Sequence, residues 1–226
     1  MMSGAGLVQQ IAVSALPLIF AITFHEAAHG YAALALGDDT AKRAGRLSLN
    51  PIRHIDPVGS IVVPGLLMLA GGFLFGWAKP VPVDFRRLRN PRFGMVLVAA
   101  AGPAANMVMA ILAILAIRLV GDLPESGIDW ARLNLANAIY LNLLLAVFNM
   151  IPIPPLDGGR VAVGLLPRSL GYPLARLEQY GMLIVVGLLM VLPPVSTLLG
   201  ARIDLFDLVI NPAITALLEL LVIVFG

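Results

Sequence analysis

Long apolar runs, separated by short polar, basic or proline-rich stretches, set the pattern of this chain. Runs at Leu7–Leu36, Phe93–Val120, Leu133–Ile151, Tyr180–Leu199 and Leu205–Phe225 approach or exceed the roughly 20 apolar residues that cross a hydrocarbon core. The first run stops at Gly37-Asp38-Asp39, a helix terminator followed by polar residues. A sixth run, Val58–Phe75, is interrupted by Pro64, Gly65, Gly71 and Gly72, and both its flanks are basic: Lys42, Arg43, Arg46 and Arg53 before it, Arg86, Arg87, Arg89 and Arg92 after it. Flanks of one sign read as a re-entrant hairpin that returns to the side it left, with an ordinary transmembrane helix as the alternative, because short-loop charge rules have exceptions. Gly76–Val83, punctuated by Pro80 and Pro82, reads either as a short β-like hairpin or as a hydrophobic surface loop. The expected fold is an all-α polytopic membrane protein of five to six transmembrane helices, with 58–75 re-entrant and the β-like hairpin near 76–83.

Composition agrees. Of 226 residues, 59% are hydrophobic and 12% charged, against about 25% charged in soluble domains, and the mean hydropathy is +0.93. The absence of cysteine excludes disulfides and thiolate metal sites, leaving His and carboxylate as ligands. A net charge of +2 reads as basic residues retained on the cytoplasmic side of a lipid bilayer, not as a nucleic-acid surface. The connection holding Asp122, Glu125 and Asp129 without a base is placed on the opposite side. Met1–Gln10 has no Lys or Arg, so the first run is not expected to be a cleavable signal peptide. One membrane-embedded domain is expected over 1–226, with a core at 7–166 and C-terminal helices at 180–225, and no internal repeat.

Chemistry enters where charge interrupts the first run. His25-Glu26-Ala27-Ala28-His29 puts two imidazoles at i and i+4 on one helical face, able to hold one ion. Glu26, one residue along, can reach a water held by that ion. Charge in a membrane span costs on the order of 2.5–3.5 kcal/mol and seldom persists without a task. A catalytic zinc takes three protein ligands. Asp157 is the best third ligand, being a carboxylate on the irregular backbone of Pro152-Ile153-Pro154-Pro155-Leu156-Asp157-Gly158, at similar depth on a helix of the same direction. Its plainer role is an N-cap. His54, in the first polar connection, and Glu219, in the last run, are poorer candidates. Glu26 is then the general base, and Asn106 or Asn149 is a candidate to hold the oxyanion or the substrate backbone. Asn142 and Asn149, seven residues apart, mark an inward-looking face, whereas Gly102 and Ala105 read as helix packing.

His25-Glu26-x-x-His29, Gly102-x-x-x-Asn106 and Asn149-x-x-Pro152-x-Pro154-x-x-Asp157-Gly158, in that order, resemble the site-2 proteases, intramembrane zinc metalloproteases that cleave membrane-embedded proteins. The resemblance covers about Phe24–Arg160. It implies one zinc ion per chain held by His25, His29 and Asp157, Glu26 as catalytic base and a transmembrane protein as substrate; the charges of the connections place the active site towards the cytoplasmic half of the membrane, expected to be a prokaryotic cytoplasmic membrane. It also implies a single crossing between the two zinc-binding helices, which favours the re-entrant reading of 58–75. Members commonly add PDZ or CBS domains, and this chain has room for neither. A metal-ion transporter using the same His/Asp cluster, a metallopeptidase with Glu as third ligand, and an inactive scaffold are the alternatives. Substrate identity, regulation and oligomeric state have no signature in the sequence.

Overall fold

The computed structural model describes residues 4–62, 78–120, 125–201 and 203–226. Its first helix, α1 (Gly4–Ala35), is 32 residues long. Buried Val13, Pro17, Ala21, His25 and Ala33 fall on every fourth or eighth position, while Leu16, Leu18, Ile19 and Phe20 face outward. Gly37 ends the helix at φ 110°. In that left-handed conformation its N–H reaches Leu34 O (3.1 Å) and the Asp38 N–H reaches Ala33 O (2.9 Å), so the last turn's carbonyls are satisfied.

After the short helix α2 (Thr40–Arg43), the chain makes a tight turn at Pro51–His54. The expected re-entrant run 58–75 lies mostly outside the described residues, of which Val58–Val62 form a wide helical turn. The expected β-like hairpin is covered only at 78–83, where the chain forms no strand pairing; no strand occurs among the described residues. The chain from Lys79 to Arg89 lies along α1 like a strap. Lys79 N–H donates to His54 O (2.9 Å) and Arg89 N–H to Leu36 O (3.0 Å). Between them, Val81 N–H donates to Glu26 Oε2 and Asp84 N–H to Asp38 Oδ2, each at 2.8 Å.

Helix α3 (Pro91–Ile117) begins at Asn90, whose side chain accepts from Phe93 N–H, with Pro91 in the first turn. Gly94, Val98, Gly102, Asn106 and Ala110 form a buried line at every fourth position. Small residues on this line and on α1 (Ala21, Ala33) bring the two backbones close. Helix α4 (Glu125–Asn149) packs on both. The turn 150–156 leads to α5 (Asp157–Leu165). Arg92 at the start of α3 reaches the α5 carbonyls Gly164 O (2.7 Å) and Leu166 O, cations being favoured at a helix C-terminus.

Helix α6 (Arg168–Leu198) is one 31-residue span and starts twelve residues before the expected Tyr180. Arg168, Arg176 and Glu178 made that stretch look like a loop, yet charges at the end of a span are compatible with helix. Helix α7 (Phe206–Phe225) closes the chain. Its Ile210, Ile214 and Leu221 join Ala110, Ala113 and Ile114 of α3 and Ile139 and Leu143 of α4 in the main apolar core. Four helices among the described residues are long and apolar enough to cross a membrane, namely α3, α4, α6 and α7. Helix α1 is not among these four.

Asp38 pins the strap to the end of α1. Burial opposes its charge, but hydrogen bonds from Thr40 and Asp84 and the Arg87 charge outweigh burial and hold its carboxyl below the ordinary carboxylate value. A depressed folded-state pKa contributes stability above the unfolded value, about 3.9, and loses it as pH falls through the folded value. Asp38→Asn should lower stability by about 1–3 kcal/mol at neutral pH. The gap to wild type should narrow below about pH 4, read as thermal unfolding in detergent across that range.

Candidate metal centre

His25 and His29 stand on α1, Asp157 opens α5, and α3 supplies the floor on which they meet. Each imidazole is fixed from behind. Asn106, fully buried, donates one amide proton to Ala21 O (3.1 Å) and one to Asn142 Oδ1 (2.8 Å). Its Oδ1 therefore faces His25 Nδ1 at 2.6 Å, and an oxygen there can only accept, so the His25 proton sits on Nδ1. His29 Nδ1 lies 2.7 Å from Val98 O, which fixes the same tautomer. Both Nε2 atoms then present lone pairs inward.

Those lone pairs converge. His25 Nε2 and His29 Nε2 are 3.0 Å apart, and Asp157 Oδ2 is 3.1 Å from the first and 3.3 Å from the second. All three side chains are buried, and their ligand atoms lie within 4.8 Å of one another. Asp157 Oδ2 has no hydrogen-bond donor despite its burial. Three acceptors facing one another in a dry site repel unless a cation sits between them. Tetrahedral ligands at zinc distances are separated by about 3.3 Å, so the three donors fit a divalent ion of that size. Asp157 is the first residue of α5 and its carboxylate caps no N–H of that helix, so the N-cap role is not the one it plays.

The backbone around Asp157 is shaped by glycine. A Cβ on Gly158 would strike Met150 O, and one on Gly159 would strike the Ile153–Pro154 backbone, so the Asp-Gly-Gly start of α5 can fold tightly onto the turn before it. Gly102 has the sharpest constraint. A Cβ there would stand 2.5 Å from His29 Nε2 and 2.6 Å from His25 Nε2. The expectation of simple packing for Gly102 is therefore too weak; this glycine keeps the space between the imidazoles open.

Glu26, half-buried, is one residue from His25 and outside the cluster. Its Oε2 accepts Val81 N–H, which sets the carboxylate and leaves Oε1 without a partner among the described residues. Asn106 departs from its expected place near substrate: both of its amide protons and its carbonyl are spent inside the protein. Asn149 is half-buried and donates to Leu145 O (3.0 Å) of its own helix. His54 is buried and bonded to Ser48 O (2.8 Å), and Glu219 is exposed on α7; neither belongs to the cluster. Val98 O, Asn142 and Val81 N–H were not singled out from the sequence for these roles. Asn142 alone had a signal, as a membrane amide facing inward.

With this geometry in view, comparison with known proteins is informative. The sequence profile of peptidase family M50 matches residues 121–192. The chain is 40% identical over 179 residues to "Putative zinc metalloprotease YwhC" of Bacillus subtilis, covering 74% of this chain and 75% of that protein. It is 34% identical over 173 residues to "Putative zinc metalloprotease Rip2" of Mycolicibacterium smegmatis, covering 76% of this chain and 64% of that one. The same-named protein of Mycobacterium tuberculosis is 34% identical over 141 residues, 62% of this chain and 52% of its own length. No solved structure matches the chain.

Two substitutions test the arrangement. Gly102→Ala should abolish bound divalent metal, measured by elemental analysis of purified protein. Gly187→Ala, where an added Cβ meets nothing within 4 Å, should leave it unchanged. Asn142→Leu strands an amide proton of Asn106 and should weaken metal affinity about 10–100-fold, read by competition with a chromogenic chelator.

Proposed function

The chain belongs to peptidase family M50, the site-2 protease family, and from that premise we propose that it is an intramembrane zinc endopeptidase. The observation that carries this reading is the convergence of His25 Nε2, His29 Nε2 and Asp157 Oδ2 within one buried cluster, beside a carboxylate held by a backbone N–H. His25 Nε2, His29 Nε2 and Asp157 Oδ2 would hold one zinc ion per chain. Bound there, the ion supplies Lewis acidity, which polarises a peptide carbonyl and makes water a better proton donor.

The chain's own residues do the rest. Asn106 and Val98 O keep both imidazoles in the tautomer whose Nε2 is free to bind. Glu26 takes a proton from water at Oε1 and delivers it to the leaving amine, while Val81 N–H keeps Oε2 occupied. Since the Asn106 amide is fully used, Asn149 is the better candidate to hold the oxyanion or the substrate backbone.

The substrates are transmembrane segments of other proteins. Their peptide bonds are shielded by helical hydrogen bonds, so a segment must unwind locally before its carbonyl meets the ion. The stretch 78–83, which pairs with no strand, is a candidate edge for the unwound segment. Pro80 and Pro82 have no N–H, so at those positions the edge offers carbonyl oxygens to substrate N–H groups. The bond between His54 O and Lys79 N–H joins the two flanks of 55–78, which supports a re-entrant segment there in place of a full crossing. With that segment and α1 counted, the chain has five crossings and one re-entrant hairpin. The basic flanks face the cytoplasm of a prokaryotic cell, and the site lies in that half of the cytoplasmic membrane. The domain is a single unit, with the core at 7–166 and C-terminal helices at 180–225.

Glu26→Gln should retain zinc and slow cleavage of a membrane-peptide substrate by about 10²–10⁴-fold, with metal content and cleavage measured on the same preparation. Cleavage at the wild-type rate with zinc in place would remove Glu26 as the base, and unimpaired metal flux through the variant would favour a transporter.

A further inference from the structure

Helix α7 carries polar residues where a lipid-facing helix should have none. Asp207, Asn211, Thr215 and Glu219 recur at every fourth position, and all four are exposed. The packed side, with Ile210, Ile214 and Leu221, lies against α3 and α4; it borders the stripe at Asp207 and is turned away from Glu219. The remaining outward surface is apolar, with Leu208, Val209, Leu220, Val222 and Ile223 exposed. The line of polar groups is about 18 Å long and drifts by about 40° per step, which follows the i±4 ridge used in close helix packing.

The stripe is only partly satisfied. Asn211 Nδ2 donates weakly to Asp207 Oδ1 (3.4 Å), and Thr215 Oγ1 donates to Asn211 O (2.9 Å). Glu219 has no hydrogen bond or ion pair among the described residues, although it lies within the apolar span Phe206–Phe225. The unused groups are mostly acceptors, and no Lys, Arg or His lies in that span. Arg118, at the far end of α3, is engaged with Gly226 O. In hydrocarbon, acceptors of this kind require donors. A second copy is a poor source: a two-fold axis along the membrane normal sets each carboxylate opposite its own twin, so like charge meets like.

We propose that the Asp207–Asn211–Thr215–Glu219 stripe is a docking surface for a transmembrane helix of a partner protein that carries a basic side chain at the depth of Glu219. Charge complementarity selects the partner, and the inference stands apart from catalysis because the stripe lies outside the metal cluster.

The test uses the full chain in phosphatidylcholine nanodiscs with single-pass polyleucine peptides bearing Lys, Leu or Glu at the central position, and energy transfer as the readout. The Lys peptide should bind about tenfold more tightly than the Leu peptide, and Glu219→Leu should erase that advantage. Glu219→Lys should transfer the preference to the Glu peptide. Glu219→Gln, nearly isosteric, serves as the second charge-removing variant should the leucine variant misfold. Equal binding of the Lys and Leu peptides to wild type, or a Lys preference that survives both Glu219→Leu and Glu219→Gln, overturns the proposal. So does energy transfer between labelled copies of the chain that Glu219→Leu abolishes, which would assign the stripe to self-association.

Discussion

Three lone pairs aimed at one point in a dry helical core form an arrangement that a protein cannot keep without help. Two neutral imidazoles and a carboxylate oxygen, 3.0–3.3 Å apart, gain nothing from one another until a cation lies between them. Without one, each would turn towards a proton donor. Much of the surrounding architecture serves to prevent that turn. The Asn106 amide is locked by Ala21 O and Asn142, so it can only accept from His25. Val98 O does the same for His29. The tight start of α5, which Gly158 and Gly159 make possible, holds Asp157 in place. A metal site built this way is pre-organised, and the metal's binding energy is added to folding instead of being spent on ordering ligands.

Close approach of α1 and α3 is the second half of the same constraint. Zinc-sized separations leave no room for a side chain under the imidazoles, and Gly102 meets that demand directly. Ala21, Ala33 and Ala99 continue the small-residue contact above and below. Small residues in membrane helices usually serve association through dispersion and short backbone separation. Here they also set how far the His25 and His29 side chains reach, so helix packing and ligand geometry are one problem. On the other side of α1, the strap from Lys79 to Arg89 places one backbone N–H on Glu26 and another on Asp38. The orientation of the proposed base is thereby tied to a loop that also closes the end of its own helix.

Residues whose chemistry depends on side-chain type and spacing were legible from the sequence alone. His25 and His29 announce themselves by the i, i+4 pattern in an apolar run and Asp157 by its proline-rich approach, and the fold brings these three together. Gly102 was visible but read as packing, because a glycine's sequence context does not say which atoms lie opposite its missing Cβ. Asn106 was visible with other neighbours in view: an amide in a span signals a polar partner without saying whether that partner is substrate or an imidazole 81 residues away in sequence. Val98 O and Val81 N–H were invisible, since every residue carries those groups and only the fold selects which are used. The start of α6 at Arg168 was hidden because hydropathy marks the apolar middle of a span and not the helix that carries it past the interface.

The treatment of amides and carboxylates inside the bundle makes α7 anomalous. On α4, Asn134, Asn137, Asn142 and Asn149 each donate to a backbone carbonyl, that of Asn137 being Val13 O on α1, and Asn142 also accepts from Asn106 of α3. On α1, α3 and α5, His25, His29, Asn106 and Asp157 form one connected cluster. Against that pattern, a line of polar residues at four successive fourth positions on an exposed helix face stands apart, and its Glu219 has no partner among the described residues. Membrane insertion selects against such a line, most strongly at Glu219, unless something compensates for it after insertion. Within the described residues Asn211 and Thr215 find acceptors on α7 itself, whereas Glu219 has no partner. The compensation must therefore come from outside this face of the bundle, and its chemistry is dictated by what the stripe lacks, which is positive charge and hydrogen-bond donors.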